Sequence, residues 1–86
     1  MIERKVTVKL EKGLEARPTA LLVQMACGFD SQICISYDSK KVNVKSIMGM
    51  LSLGIGSNKT VVLQTEGPDE EKAADEIEKY LSGKED

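Results

Sequence analysis

The chain contains no histidine and no tryptophan, and its aromatic side chains are Phe29, Tyr37 and Tyr80 alone. Without histidine no side chain titrates near neutral pH unless its environment shifts it, so imidazole acid–base chemistry and His-ligated metal centres are excluded. Basic residues do not outnumber acidic ones: 12 Lys and Arg against 14 Asp and Glu leave a formal charge of −2, with the acids gathered toward the C-terminal end. A surface of that balance has no general attraction for phosphate backbones or anionic lipid, and three aromatics without an interleaved basic stripe do not make a nucleic-acid-binding module. No apolar run reaches the length of about 18 residues that a spanning helix needs, and the opening "MIERKVTV" alternates where a signal peptide would be continuously apolar. The expected location is the cytoplasm, with neither membrane nor direct nucleic acid as a partner. Cysteine is scarce: Cys27 and Cys34 lack the close pairing or neighbouring histidines of zinc and redox motifs, and read as small apolar residues in a reducing compartment.

What is present is enough for one domain spanning residues 1–86, since 86 residues at 41% hydrophobic content build one core and not two. Over residues 2–10, Val6, Val8 and Leu10 alternate with Lys5, Thr7 and Lys9, the period of a strand with one wet face. "ARPTALLVQMACGF" places Thr19, Leu22, Val23 and Ala26 on one helical stripe, with Pro18 near its start and Gly28 beyond its end. "QICISYD" and "KKVNV" alternate on either side of Asp38-Ser39 and read as a hairpin. "SIMGMLSLGIG" reads as a helix of about two turns, N-capped by Ser46 and stopped by Gly54 and Gly56. "TVVLQTEG" is a fourth strand, and "PDEEKAADEIEKYL" a closing helix with Ala73, Ile77, Tyr80 and Leu81 inward, Asp69 as its cap, and Glu70 and Glu71 at the positive end of its dipole. The order β-α-β-β-α-β-α implies an α+β fold in which helices cover one face of a mainly antiparallel sheet.

Two stretches depart from an ordinary small domain. "GLEARPTA" sets a carboxylate, Glu15, and a guanidinium, Arg17, at the mouth of the first helix. The short second helix is apolar nearly all round: with Met50 and Leu53 toward the sheet, Ile47, Met48 and Leu51 face outward, and Ala20 and Leu21 leave the stripe of the first helix in the same way. Loops of the domain itself would hide such residues; left open, they make a docking patch, and the patch is the favoured reading. Ser46 likewise has two readings. It is an ordinary N-cap, and it is also a position where an added phosphate would be well tolerated, with Lys45 beside it.

Taken together, "GLEARPTALLVQ" and "VNVKSIMGMLSLGIG" resemble the two signature segments of HPr, the small phosphocarrier of the bacterial sugar phosphotransferase system, and the likeness runs from the first strand to the last helix. The resemblance implies an open-faced sandwich, a four-stranded antiparallel sheet with three helices on one face. In that family the first segment carries the histidine that accepts the phosphoryl group. Here Glu15 holds its place, while Arg17 and Pro18 are kept. The second segment keeps its serine, so the resemblance implies that Ser46 is the regulatory phosphorylation site. A chain with the serine retained and the histidine lost is similar to the Crh branch of the family, although Glu15 replaces the glutamine expected there.

What the resemblance implies is a regulatory adaptor and not an enzyme, without cofactor or metal. HPr kinase/phosphorylase would phosphorylate Ser46, and the phosphoprotein would bind the transcription regulator CcpA as corepressor in carbon catabolite repression. Arg17 and Lys45 would be electrostatic partners of the phosphate, and Ala20, Leu21, Ile47, Met48 and Leu51 the apolar dock. A homodimer formed by exchange of the first strand is a further expectation of the resemblance. The alternative is an HPr-type phosphocarrier working through Glu15 as an acyl phosphate, for which the sequence supplies neither metal nor base.

Overall fold

The structure is a computed structural model and describes residues 1–83. The alternating first segment forms β1 (Ile2–Thr7), followed by α1 (Ala16–Cys27), β2 (Gln32–Tyr37), β3 (Lys40–Asn43), α2 (Ile47–Leu53), β4 (Thr60–Glu66) and α3 (Glu70–Leu81), the expected β-α-β-β-α-β-α order. The strands form one antiparallel sheet in the order β1-β4-β2-β3, with Ile2 opposite Thr65, Ile33 also opposite Thr65, and Cys34 opposite Asn43. Along β4, Val61, Leu63 and Thr65 are buried while the residues between them are not, which leaves all three helices on one face of the sheet. The hairpin turns as its sequence requires: Asp38 and Ser39 both take positive φ, 51° and 67°, the pair of left-handed residues that matches the twist of two joined strands.

One core fills the space between sheet and helices. Val6, Val8, Ile33, Ile35, Val61 and Leu63 come from the sheet side, and Leu22, Ala26, Met50, Ala73, Ile77 and Leu81 from the helices. Each large side chain removed from water in this way contributes about 1.5–3 kcal/mol before entropy is counted. The α3 outer face is polar and tied to the sheet, since the Arg4 guanidinium reaches Asp75 Oδ1 at 2.7 Å and Glu78 Oε1 at 2.9 Å.

Several local expectations are corrected. The β1 ladder ends at Thr7, three residues short of Leu10; Val8 donates instead to the Lys59 carbonyl, and Lys9 to the Leu81 carbonyl. Val23 and Tyr80 lie at the edge of the core and not within it, and the Tyr80 hydroxyl donates to the Pro18 carbonyl at 2.9 Å. Asp69 stands at the N-cap position of α3 but its carboxylate makes no capping bond there; it is engaged elsewhere, as described below.

Candidate functional site at the mouth of α1 and the outer face of α2

The loop that leads into α1 is clamped from below. Gly13 has φ +68°, and a Cβ there would lie 2.6 Å from the Ile55 carbonyl oxygen and 2.7 Å from Gly56, so only glycine fits. Leu14 is buried, and its N–H donates to the Ile55 carbonyl at 2.8 Å, which holds the start of α1 beside the segment that leaves α2. Glu15 follows at the N-cap with extended backbone, its carbonyl accepting from Thr19 N–H and its side chain making no cap bond. Glu15, Ala16 and Arg17 are exposed on the rim of a cleft of about 510 Å³, whose walls include Leu10, Lys12, Pro18, Leu21 and Tyr80. Among the described residues no ion pair joins Glu15 to Arg17, and the guanidinium faces solvent without a carboxylate partner.

Helix α2 is built by its caps. The Ser46 hydroxyl accepts from Gly49 N–H at 3.1 Å, and Gly54, at φ +60°, closes the other end with its N–H on the Leu51 carbonyl. Met50 is wholly buried and Leu53 nearly so, and these two hold the helix down. Everything else apolar on it faces outward: Met48 is 76% exposed, Ile47 41% and Leu51 39%. α1 packs against α2 and adds Leu21, 51% exposed, and Ala20, also exposed. Apart from Met1, every exposed large hydrophobic side chain among the described residues falls on these two helices, around the exposed Ser46. Among the described residues no loop covers the patch.

Lys45 lies beside Ser46 but its ammonium points elsewhere, donating to the Phe29 carbonyl at 2.7 Å. Its backbone N–H donates to Asn43 Oδ1 at 2.8 Å, and Ser46 N–H to the Asn43 carbonyl at 3.0 Å, so Asn43 shapes the approach to α2. Across the loop after α1, the Asp69 carboxylate accepts from Asp30 N–H and Ser31 N–H, both at 2.9 Å, and from the Ser31 hydroxyl. The Ser31 hydroxyl first, and the backbone amides after it, hold the Asp69 carboxyl below its ordinary range. Glu70 is lowered too, first by Gly67 N–H and then by the terminal amine of Met1, 3.1 Å away. The sequence carries no local sign of the Lys45 or Asp69 contacts, because their partners lie 16 and 38 or 39 residues away. Among the described residues no cluster of Cys, Asp and Glu is placed to hold a metal ion, and no helix is long and apolar enough to cross a membrane.

Comparison with known proteins places these features in a wider set. Residues 2–82 match the family described as the PTS HPr component phosphorylation site. The HPr-like protein Crh of Halalkalibacterium halodurans is 53% identical over 81 residues, covering 94% of this chain and 96% of that protein. The crystal structure of the phosphocarrier protein HPr from Bacillus anthracis str. Ames is similar with a TM-score of 0.91 at 45% identity, over 93% of this chain and 95% of that one. Crystalline Crh of Bacillus subtilis, a dimer with a swapping domain, has a TM-score of 0.78 at 43% identity, over 96% of this chain and 95% of that one.

Proposed function

The chain belongs to the HPr family, and from that premise we propose that it is a regulatory adaptor of carbon catabolite repression and not a sugar phosphocarrier. In this reading HPr kinase/phosphorylase phosphorylates Ser46 in the cytoplasm, and the phosphoprotein binds the transcription regulator CcpA as its corepressor. The observation that carries it is the concentration of exposed apolar side chains on α1 and α2 around an exposed serine hydroxyl. Exposed, contiguous apolar groups of this kind are the anchors of protein interfaces.

Each residue then has a part. Ser46 takes the phosphate at the positive end of α2, where negative charge is tolerated. Arg17, which no carboxylate among the described residues holds, is able to grip phosphate through two parallel hydrogen bonds, and Lys45 adds positive charge at the modified serine. Ala20, Leu21, Ile47, Met48 and Leu51 supply the dock. Nothing in this scheme asks the chain to catalyse a reaction or to hold a cofactor.

Glu15 stands where the family's phosphoryl-accepting histidine would be, and its chemistry argues against a carrier. Imidazole is a neutral nucleophile near pH 7 and a good leaving group once protonated, whereas a carboxylate would have to form a mixed anhydride, for which the sequence supplies neither metal nor base. The chain also offers a route to a homodimer by first-strand exchange. β1 is an edge strand bonded to β4 alone, so leaving the sheet breaks one ladder, and the connection after it includes the glycine turn at Gly13.

Mass spectrometry after incubation with the kinase and ATP tests the central step. One added phosphate mapped to Ser46 is expected, and none on Ser46→Ala, whose fold survives with a cap penalty of about 1 kcal/mol. Phosphate on Ser52 or Ser57, or on no residue, would contradict the assignment. Incubation with enzyme I and phosphoenolpyruvate should leave Glu15 unlabelled; an acyl phosphate there would restore the carrier.

A further inference from the structure

Helix α1 ends at Cys27 with no basic residue in its last turn, so the carbonyls at its negative end have no cation of their own. Lys45 supplies one from another part of the fold. Its ammonium donates to the carbonyl of Phe29, one residue beyond the Gly28 C-cap of α1, in a turn tied back by Phe29 N–H on the Ala26 carbonyl and Gly28 N–H on the Met25 carbonyl. The next two residues are held from the other side, by Asp69 on Asp30 N–H and Ser31 N–H. The exit of α1 is therefore suspended between a cation and an anion, and the cation is the residue before Ser46. The Lys45 backbone is fixed by Asn43, so a change of partner requires movement of its side chain only.

We propose that Lys45 is a positioning residue with two alternative partners: it ties the Ser46 loop to the C-terminal end of α1 in the unmodified protein, and it leaves the Phe29 carbonyl for the phosphate when Ser46 is modified. A phosphate brings nearly two negative charges and three acceptor oxygens to the adjacent residue, and so adds a Coulomb attraction for the ammonium that a neutral carbonyl lacks. The exchange loosens the end of α1, the helix that carries Ala20 and Leu21. Modification of one helix cap is thereby transmitted to a second helix of the docking face. The inference rests on the proposed modification of Ser46, but not on the enzyme that makes it.

The test uses the full chain with phosphoserine installed at position 46 during synthesis, which removes the kinase from the question. Amide hydrogen exchange at Gly28 and Phe29 and the carbonyl carbon shift of Phe29 are read in four proteins: unmodified and phosphoserine-containing, each with Lys45 or Lys45→Met. Unmodified Lys45→Met should exchange about tenfold faster at both amides than the unmodified parent, the scale of one lost hydrogen bond from a charged donor. Phosphoserine should produce the same acceleration and the same carbonyl shift in the parent, and add nothing in Lys45→Met. Lys45→Arg, which still carries a charged donor, should restore slow exchange in the unmodified protein. Val8 N–H, bonded to the Lys59 carbonyl beyond the opposite end of β4 from Gln32, should stay protected throughout and reports that each variant is folded. Equal exchange with and without phosphoserine in the parent overturns the proposal, and so does an equal acceleration by phosphoserine in Lys45→Met. A kinase that ignores Ser46 would defeat the proposed function and leave this result standing.

Discussion

Helices α2 and α3 solve the same problem in opposite ways. α3 runs 12 residues, buries Ala73, Ala74, Ile77 and Leu81, and shows water a charged face with a partner in Arg4 of β1. α2 has 7 residues, is held by Met50 and Leu53, and shows water Ile47, Met48 and Leu51. A helix kept only for the stability of the fold has no reason to leave a 76% exposed methionine beside its cap. The contrast extends to the caps. Ser46 serves its own helix through Gly49 N–H, while Asp69, at the same position of α3, spends its carboxylate on the loop after α1. The serine bonds within its own helix, whereas the aspartate ties its helix to a distant loop.

Methionine substitutions on the two sides of α2 break this comparison most sharply. Met50→Ala should cost about 2–5 kcal/mol of stability, since it empties a filled core position, whereas Met48→Asp should shift stability by under about 0.5 kcal/mol. The same Met48→Asp should weaken binding of the Ser46-phosphorylated chain to the regulator by about 2 kcal/mol or more, the scale of an interface anchor. Denaturant melts together with titration calorimetry separate the two effects, and equal losses of stability and binding at Met48 would make it a core residue.

The long-range cap is tested by acid. The Asp69 carboxyl lies below its ordinary value of 3.8 in the folded chain, so its bonds stabilise the fold fully above the unfolded-state value and lose that contribution as pH falls through the folded one. Asp69→Asn should therefore be less stable than the parent near neutral pH, and the difference should shrink as pH falls below the ordinary carboxyl value and through the lower folded one. A constant difference across an equilibrium unfolding series from pH 2 to pH 7 would show that the charge of Asp69 is irrelevant.

Smaller changes are expected on the α3 surface and at the mouth of α1. Arg4→Gln removes two ion contacts, one exposed and one partly buried, and should lower stability by about 1 kcal/mol, a loss that shrinks as salt is raised. Glu15→Gln should change the affinity of the phosphorylated chain for the regulator by only a few tenths of a kcal/mol, because no ion pair holds Arg17 to Glu15 and little competition has to be relieved. Tightening by 1 kcal/mol or more in low-salt calorimetry would mean that Glu15 does engage Arg17 in solution.

Residue order alone determined the seven elements, because their signals are local. Alternation marks Val6 and Val8, a two-residue turn marks Asp38-Ser39, and a serine cap with a glycine stop brackets α2. The outward set Ala20, Leu21, Ile47, Met48 and Leu51 was legible for the same reason: a seven-residue helix cannot bury every side of itself, and 3.6-residue geometry says which side is left. Tertiary structure decided what depends on distant chain. It took Asp69 away from its own helix and gave it to Asp30 and Ser31, turned the Lys45 ammonium to the end of α1, and set Tyr80 against Pro18. Glu15 and Arg17 form no ion pair although only two residues apart, because two exposed charges at a helix mouth gain too little from each other in water to hold a fixed geometry.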